Sequence, residues 1–318
     1  MIVQMYQAKR PSRSEFVRIR QLNYHVRTWG QPIPGVVPLV MVHGWMDVGA
    51  SYQFVVDAFE EAFMQGRFIV APDWRGFGLS GWENNSYPGH DNYWFPDYMA
   101  DLDFLIDHTL ARYSEAPTQI DLVGHSMGGN VVMLYAGSRP ERIRRLINLE
   151  GFGMPATKPT QAPKRYAQWM DELKELYKGD KDLKTYPGLE GVAQRLMKTN
   201  PRLPLDKALW LASHWSAEVS PGQWQILGDA AHKITNAQLY RVEEVLALYA
   251  NISAPVLSVE ASNNQMDVWW KGRYTLAEFH ERLQSVPQLK QALVTEAGHM
   301  LHHDQPAQLA RLIEDFLA

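Results

Sequence analysis

An α/β protein, with a mostly parallel sheet covered by helices on both faces, is the fold class the sequence predicts. Three observations lead there. Short continuous apolar runs at residues 39–42 and 68–71 have the pattern of strands buried on both faces, and further apolar-rich strand segments follow at 120–123, 145–149, 255–259 and 291–294. Segments with helical apolar spacing separate most of them. Loops rich in Gly, His, Asp and Ser follow the runs, and in open sheets of this kind the ligand site lies beyond the carboxyl ends of the strands.

Taken in order, residues 1–13 read as a loose basic leader. Residues 15–20 and 24–29 alternate around the turn Gln21-Leu22-Asn23, which predicts an antiparallel hairpin. A Pro/Gly loop over 31–38 leads into the first buried strand at 39–42. That strand ends in His43-Gly44-Trp45-Met46-Asp47. Helical spacing over 51–65 precedes the strand at 68–71, which closes in Asp73-Trp74-Arg75-Gly76-Phe77-Gly78-Leu79-Ser80. Tyr98, Leu102, Leu105, Ile106 and Leu110 form one stripe of a helix over 96–112.

Residues 120–136 pass from strand to helix through Gly124-His125-Ser126-Met127-Gly128. Gly-x-Ser-x-Gly in that context is a nucleophile elbow: the tight bend strains the serine and aims its hydroxyl out of the fold. Glycines at 124 and 128 relieve the crowding, since they lack a Cβ. The helix that begins at Met127 directs free backbone N–H groups at the same point. The strand at 145–149 follows and ends at Glu150-Gly151-Phe152-Gly153.

From 154 to 235 the strand–helix rhythm stops. This stretch is helix-leaning, with prolines and the aromatics Tyr166, Trp169, Tyr177, Tyr186, Trp210, Trp215 and Trp224, and reads as a mostly helical cap over the strand ends. The rhythm resumes with helices over 239–249, 274–283 and 305–317, the last with Pro306 in its first turn, where a missing N–H costs little. The expected organisation is a core of residues 14–153 and 236–318 with a cap at 154–235.

Composition bounds the function. Lys+Arg 31 against Asp+Glu 35 gives a net charge of −4 with no long basic block, which argues against nucleic acid as partner. The absence of cysteine excludes disulfides and thiolate chemistry. No apolar run approaches the roughly 18 residues of a membrane span, and residues 1–7 lack a signal-peptide pattern. A cytoplasmic protein is the expectation, with the oligomeric state open.

The order of elements, Gly124-His125-Ser126-Met127-Gly128-Gly129, His43-Gly44-Trp45, the Asp73–Ser80 loop and the late Gly298-His299 resemble the α/β-hydrolase fold, from about residue 14 to the end. Within that superfamily the chain is similar to the serine-hydrolase-like proteins and carboxylesterases, on His43-Gly44-Trp45-Met46-Asp47 and Glu150-Gly151-Phe152-Gly153-Met154-Pro155. The resemblance implies Ser126 as nucleophile and His299, after the last strand, as its base, in the chain order usual for this fold.

The acid has more than one candidate. The family's commonest place for it is the loop 260–267, where this chain carries Asn264 in place of Asp, and an amide stabilises an imidazolium poorly. Some relatives take the acid from the strand after the elbow helix, which is Glu150 here. Glu150 is preferred, Asp267 is the alternative and Glu260 ranks third. The oxyanion hole is expected from the backbone N–H groups of Trp45 and Met127. His43, His125 and the Asp73–Gly76 segment read as structural. His302 and His303 read as residues that open a helix rather than as a metal cluster, because no carboxylate pattern or cysteine lies near them in sequence.

Trp74, Trp169, Trp210 and Trp215 are candidates for the substrate pocket. The implied activity is hydrolysis of a small or medium carboxylic ester or lactone through an acyl-enzyme on Ser126, with no metal or cofactor. A carbon–carbon hydrolase, an amidase or a perhydrolase on the same triad is the alternative, and a binding protein without turnover is the reading from another class. Haloalkane dehalogenases and epoxide hydrolases share the architecture but carry Asp at the elbow, so Ser126 argues against both.

Overall fold

The computed structural model describes residues 4–82 and 91–318. The strands run β1 (Arg13–Ile19), β2 (Leu22–Trp29), β3 (Leu39–Val42), β4 (Ile69–Pro72), β5 (Gly81–Trp82), β6 (Ile120–His125), β7 (Ile143–Leu149), β8 (Thr185–Pro187), β9 (Ser216–Ser220), β10 (Gln223–Ile226), β11 (Val256–Ala261) and β12 (Leu289–Val294). The main sheet has the order β1-β2-β4-β3-β6-β7-β11-β12, with β5 added beside β2. From β4 to β12 every neighbouring pair is parallel. The predicted hairpin is β1–β2, and β2 joins β4 antiparallel.

Burial on both faces explains the apolar runs of β3, β4, β6 and β11, whereas β12, the edge strand, is mostly exposed or half-buried. Along β6, Leu122 enters one core and Val123 the other, as the two-residue alternation of a strand requires. The first core holds Val132 and Tyr135 of the helix Met127–Ser138 and Leu105 of the helix Phe95–Leu110. The second holds Ile313 and Leu309 of the helix Pro306–Leu317. Register then brings chemistry together. His125 of β6 pairs with Leu149 of β7, so the residues that follow them, Ser126 and Glu150, leave the sheet side by side.

Two expectations need correction, and a third gains a detail. The helical spacing at 51–65 is broken into a 3-10 turn Gly49–Tyr52 and helices Gln53–Ala58 and Glu61–Met64, because Phe59 takes an extended conformation and turns its ring into the core. The segment 154–235 is not only helical. Besides the helices Ala162–Tyr177, Gly188–Thr199 and Leu205–Trp215, it contains the antiparallel sheet β8-β10-β9.

The leader is also not loose where it is described; residues 1–3 lie outside the described residues. The Tyr6 hydroxyl donates to Asp57 Oδ2 at 2.6 Å, and the backbone N–H groups of Lys9 and Arg10 donate to the same carboxylate at 3.0 and 2.7 Å. The Tyr6 ring meets Phe54 and Trp210. Among the described residues no helix is long and apolar enough to cross a membrane.

Candidate active site

Ser126 sits between β6 and the helix Met127–Ser138 with φ 52° and ψ −114°, a sparsely populated region that costs about 1–3 kcal/mol. The fold enforces it. Ser126 N–H donates to the Leu149 carbonyl at 2.8 Å, and its own carbonyl accepts from Asn130 N–H at 3.0 Å. A Cβ at Gly124 would lie 2.4 Å from the Gly128 carbonyl oxygen, and one at Gly128 would lie 2.5 Å from the carbonyls of Val42 and His43. Both glycines are therefore steric requirements of the bend.

His299 Nε2 lies 2.9 Å from Ser126 Oγ, and its Nδ1 lies 3.2 Å from Glu150 Oε2. The two contacts span 173 and 149 residues of sequence. Glu150 is held as firmly as the serine. Its backbone has φ 56°, its N–H donates to the Val259 carbonyl at 3.0 Å, and its Oε1 accepts from Ala261 N–H at 2.6 Å. The loop carrying His299 is fixed too: His125 Nε2 donates to the His299 carbonyl at 2.8 Å, and Gly298 N–H donates to Asp304 Oδ2 at 2.8 Å.

The alternative acids are placed elsewhere. Asp267 is exposed in the short helix Met266–Trp270, and Glu260 Oε1 pairs with His280 Nε2 at 2.6 Å. Asn264 Oδ1 accepts from Met266 N–H at 3.3 Å, closing its own turn. Of the carboxylates considered, Glu150 is the one within hydrogen-bond reach of His299.

Burial governs protonation here. It pushes the Glu150 carboxyl up to about 9 and the His299 imidazole down to about 3, since a charge on either group is poorly solvated. His125 is held neutral for the same reason.

The loop after β3 passes beside the nucleophile. A Cβ on Gly44 would lie 3.0 Å from Ser126 Cβ and from His125 Nδ1, a tight contact that glycine avoids. Trp45 follows with its side chain 53% exposed, and Met127 opens the elbow helix with one of that helix's free first-turn N–H groups. His43 is wholly occupied: Nδ1 donates to the Gly44 carbonyl at 2.7 Å and Nε2 accepts from Trp74 N–H at 2.8 Å.

The expected pocket tryptophans are placed differently. Trp74 is fully buried, and its indole N–H donates to the His43 carbonyl at 2.9 Å; it pins the loop after β3. Trp210 and Trp215 belong to a third core with Val48, Phe54, Val192 and Leu211. There the Trp215 N–H donates to Ser51 Oγ at 3.3 Å. Trp169, in the helix Ala162–Tyr177, is half-buried with its indole N–H unpartnered.

The indole that meets the candidate base is Trp269, edge-on to the His299 ring with centroids 4.5 Å apart. Sequence reasoning passed over it, although it stands two residues beyond Asp267, where the loop 260–267 ends. A cleft of about 660 Å³ between the loop after β4 and the segment 154–235 is lined by Arg75, Tyr93, Asp182 and Asp229. It touches neither Ser126 nor His299, so its size does not make it the reacting site.

The Asp73–Ser80 loop is a bracing element. Asp73 accepts from Gly49 N–H, Leu79 N–H and His25 Nδ1 at 2.8, 2.9 and 2.8 Å. Arg75 forks onto the buried Asp101 carboxylate at 2.5 and 2.7 Å.

Comparison with known proteins agrees with this architecture. Residues 37–306 match the sequence profile of the alpha/beta hydrolase fold. A serine hydrolase-like protein of Danio rerio is 24% identical over 294 residues, 88% of this chain and 81% of that protein. Among solved structures, a thioesterase domain from the curacin biosynthetic pathway superposes with TM-score 0.77 at 22% identity, covering 95% of this chain and 99% of that one. An esterase from Mycobacterium tuberculosis superposes with TM-score 0.65 at 17% identity, covering 96% and 91%. The matched profile takes in the parallel strands from β3 onward, the elbow and the late histidine loop, and the chain belongs to the α/β-hydrolase family.

Proposed function

We propose that the protein is a serine hydrolase that cleaves a carboxylic ester through an acyl-enzyme on Ser126. The single observation that carries this reading is the continuous chain Ser126 Oγ, His299, Glu150, at 2.9 and 3.2 Å. His299 Nε2 takes the hydroxyl proton as Oγ bonds to the substrate carbonyl carbon, and the carbonyl oxygen becomes an oxyanion. The N–H groups of Met127 and Trp45 are the proposed donors to that oxygen. One such donor is worth about 2.7–4 kcal/mol. The imidazolium then gives its proton to the departing alkoxide, and water repeats the sequence in reverse roles to release the acid.

Glu150 orients the ring through Nδ1 and stabilises its cationic form. Trp269 walls one side of the imidazole. The strained φ of Ser126 supports the assignment, since such strain persists where the surrounding structure over-determines it and clusters at active sites. The resemblance of the fold to an esterase and to a thioesterase domain is compatible with acyl transfer and leaves the acyl and alcohol groups to experiment.

A fluorophosphonate probe tests the reading. Wild type should be labelled covalently at Ser126, and Ser126→Ala should not be labelled. Equal labelling of both, or none of either, would overturn it. A p-nitrophenyl ester series of increasing chain length, run beside lactones, thioesters and amides, then defines the bond and the acyl size.

A further inference from the structure

Directly behind the candidate triad, three buried side chains leave polar atoms without hydrogen-bond partners: Asp47 Oδ2, His125 Nδ1 and both ring nitrogens of His302. One ligand-type atom from each of the three residues lies within 4.8 Å of the others. His302 Nε2 is 3.6 Å from Asp47 Oδ2. Unpaired polar atoms this deeply buried are uncommon and costly, and these converge on one point.

The second ring nitrogen or oxygen of two of these side chains is already committed. Asp47 Oδ1 accepts from Val48 N–H at 2.8 Å and from the Ser51 hydroxyl, which aims Oδ2 at the cluster. His125 Nε2–H donates to the His299 carbonyl at 2.8 Å, which leaves Nδ1 with its lone pair. A backbone carbonyl holding the far nitrogen of an imidazole is the usual outer support of a metal-ligating histidine.

We infer that Asp47, His125 and His302 form a binding site for a divalent transition metal of the Zn²⁺ type. The donor set of two imidazoles and one carboxylate suits zinc, with a fourth position left for water. Tetrahedral ligands about 2.0–2.2 Å from zinc are about 3.4 Å apart, so the 3.6 Å pair is already near its place and His125 needs a small adjustment.

The site would join three separate segments of the chain: the loop after β3, the end of β6 and the short helix Leu301–Asp304. Asp47 lies two residues after Trp45, His125 immediately before Ser126, and His302 three residues after His299. One ion would cross-link the loop beside the nucleophile, the elbow and the histidine loop. The neighbouring His303 is not one of the three converging residues; its ring packs against Phe54 and beside the His302 ring. Binding is read without turnover, so the result is separable from the fate of the hydrolase assignment.

Metal-stripped full-length protein is titrated with Zn²⁺ by equilibrium dialysis and thermal unfolding, and with Co²⁺ by visible absorption. The expected result is one equivalent bound, a thermal midpoint that rises and returns on adding EDTA, and the intense Co²⁺ bands of four-coordinate geometry. In His302→Gln, with its fold checked by circular dichroism, affinity should fall at least tenfold and the bands should vanish; His280→Gln should match wild type. If wild type takes up no stoichiometric Zn²⁺ or shows no such bands, the inference is overturned, whether or not His302→Gln folds. It is equally overturned if a folded His302→Gln binds as tightly as wild type.

Discussion

Glu150 is where single-residue chemistry is most exposed to test. Its carboxylate reaches His299 Nδ1 while Asp267 stays exposed. Glu150→Gln should lower kcat by about 10³–10⁴-fold, as the loss of a triad acid does elsewhere, and Asp267→Asn should leave kcat unchanged. The reverse pattern would reassign the acid. Protonation gives a second handle. The proposed mechanism needs ionised Glu150 and neutral His299, and burial pushes the carboxyl up to about 9.

Activity should therefore fall as pH falls, with an ascending limb on the alkaline side of the ordinary imidazole value of about 6.5. In Glu150→Gln the carboxyl is gone, and the residual limb should move to acid, toward a His299 that burial lowers to about 3. A wild-type limb below 6.5 in a pH–rate profile would contradict this. The stability sign follows from linkage. A carboxyl whose folded value lies above its unfolded one favours the fold below about 4.5 and loses that contribution as pH rises toward 9. Glu150→Gln should accordingly lose less stability than wild type between pH 5 and pH 9.

At the scale of an element, the elbow depends on backbone-to-backbone proximity. Gly128 stands where a Cβ would meet two carbonyl oxygens of the β3 end at 2.5 Å, and neither can swing aside as a side-chain tip could. Gly128→Ala should destabilise by about 1–3 kcal/mol in urea unfolding. It should also lower kcat, because the helix carrying Met127 N–H must move away from Ser126. An Ala variant as stable and as active as wild type would show that the elbow has slack. The same logic made the elbow legible in the sequence. Glycine at 124 and 128, a strand before and a helix after are all local, and one contiguous stretch encodes them.

Other elements were less legible. The sheet β8-β10-β9 is built from three-to-five-residue strands with mostly exposed or half-buried side chains, too short and too polar to leave a periodic signal. The helix Met266–Trp270, which brings Trp269 to His299, is only five residues long.

Across the whole molecule, the N-terminal segment ties distant parts together. Asp57 accepts from the Tyr6 hydroxyl, the N–H groups of Lys9 and Arg10, and Gln53 Nε2, while Tyr6 N–H donates to the Asp206 carbonyl at 3.2 Å. This network connects the core helix Gln53–Ala58 to the helix Leu205–Trp215. Asp57→Ala strands these donors and should cost about 1.5–3 kcal/mol, read as a lower urea midpoint. Proteolysis of the first ten residues should become faster. An unchanged midpoint would mean the network is passive. Nothing in residues 5–10 announces this role, because their partners are about fifty and two hundred residues away.

The sequence by itself determined the parallel sheet, the hairpin, the strained serine and the histidine after the last strand. Each rests on apolar periodicity or on glycines within a few residues of one another, and local sterics suffice to write them. Tertiary structure alone decided which carboxylate faces His299. That choice follows from register, which seats Glu150 beside Ser126 while the polypeptide returns the imidazole from 149 residues away. It likewise moved Trp74 into the core, set Trp269 against the imidazole, and gathered Asp47, His125 and His302 from three separate segments of the chain. Convergence of that kind depends on strand order and loop closure, which no short window of residues contains.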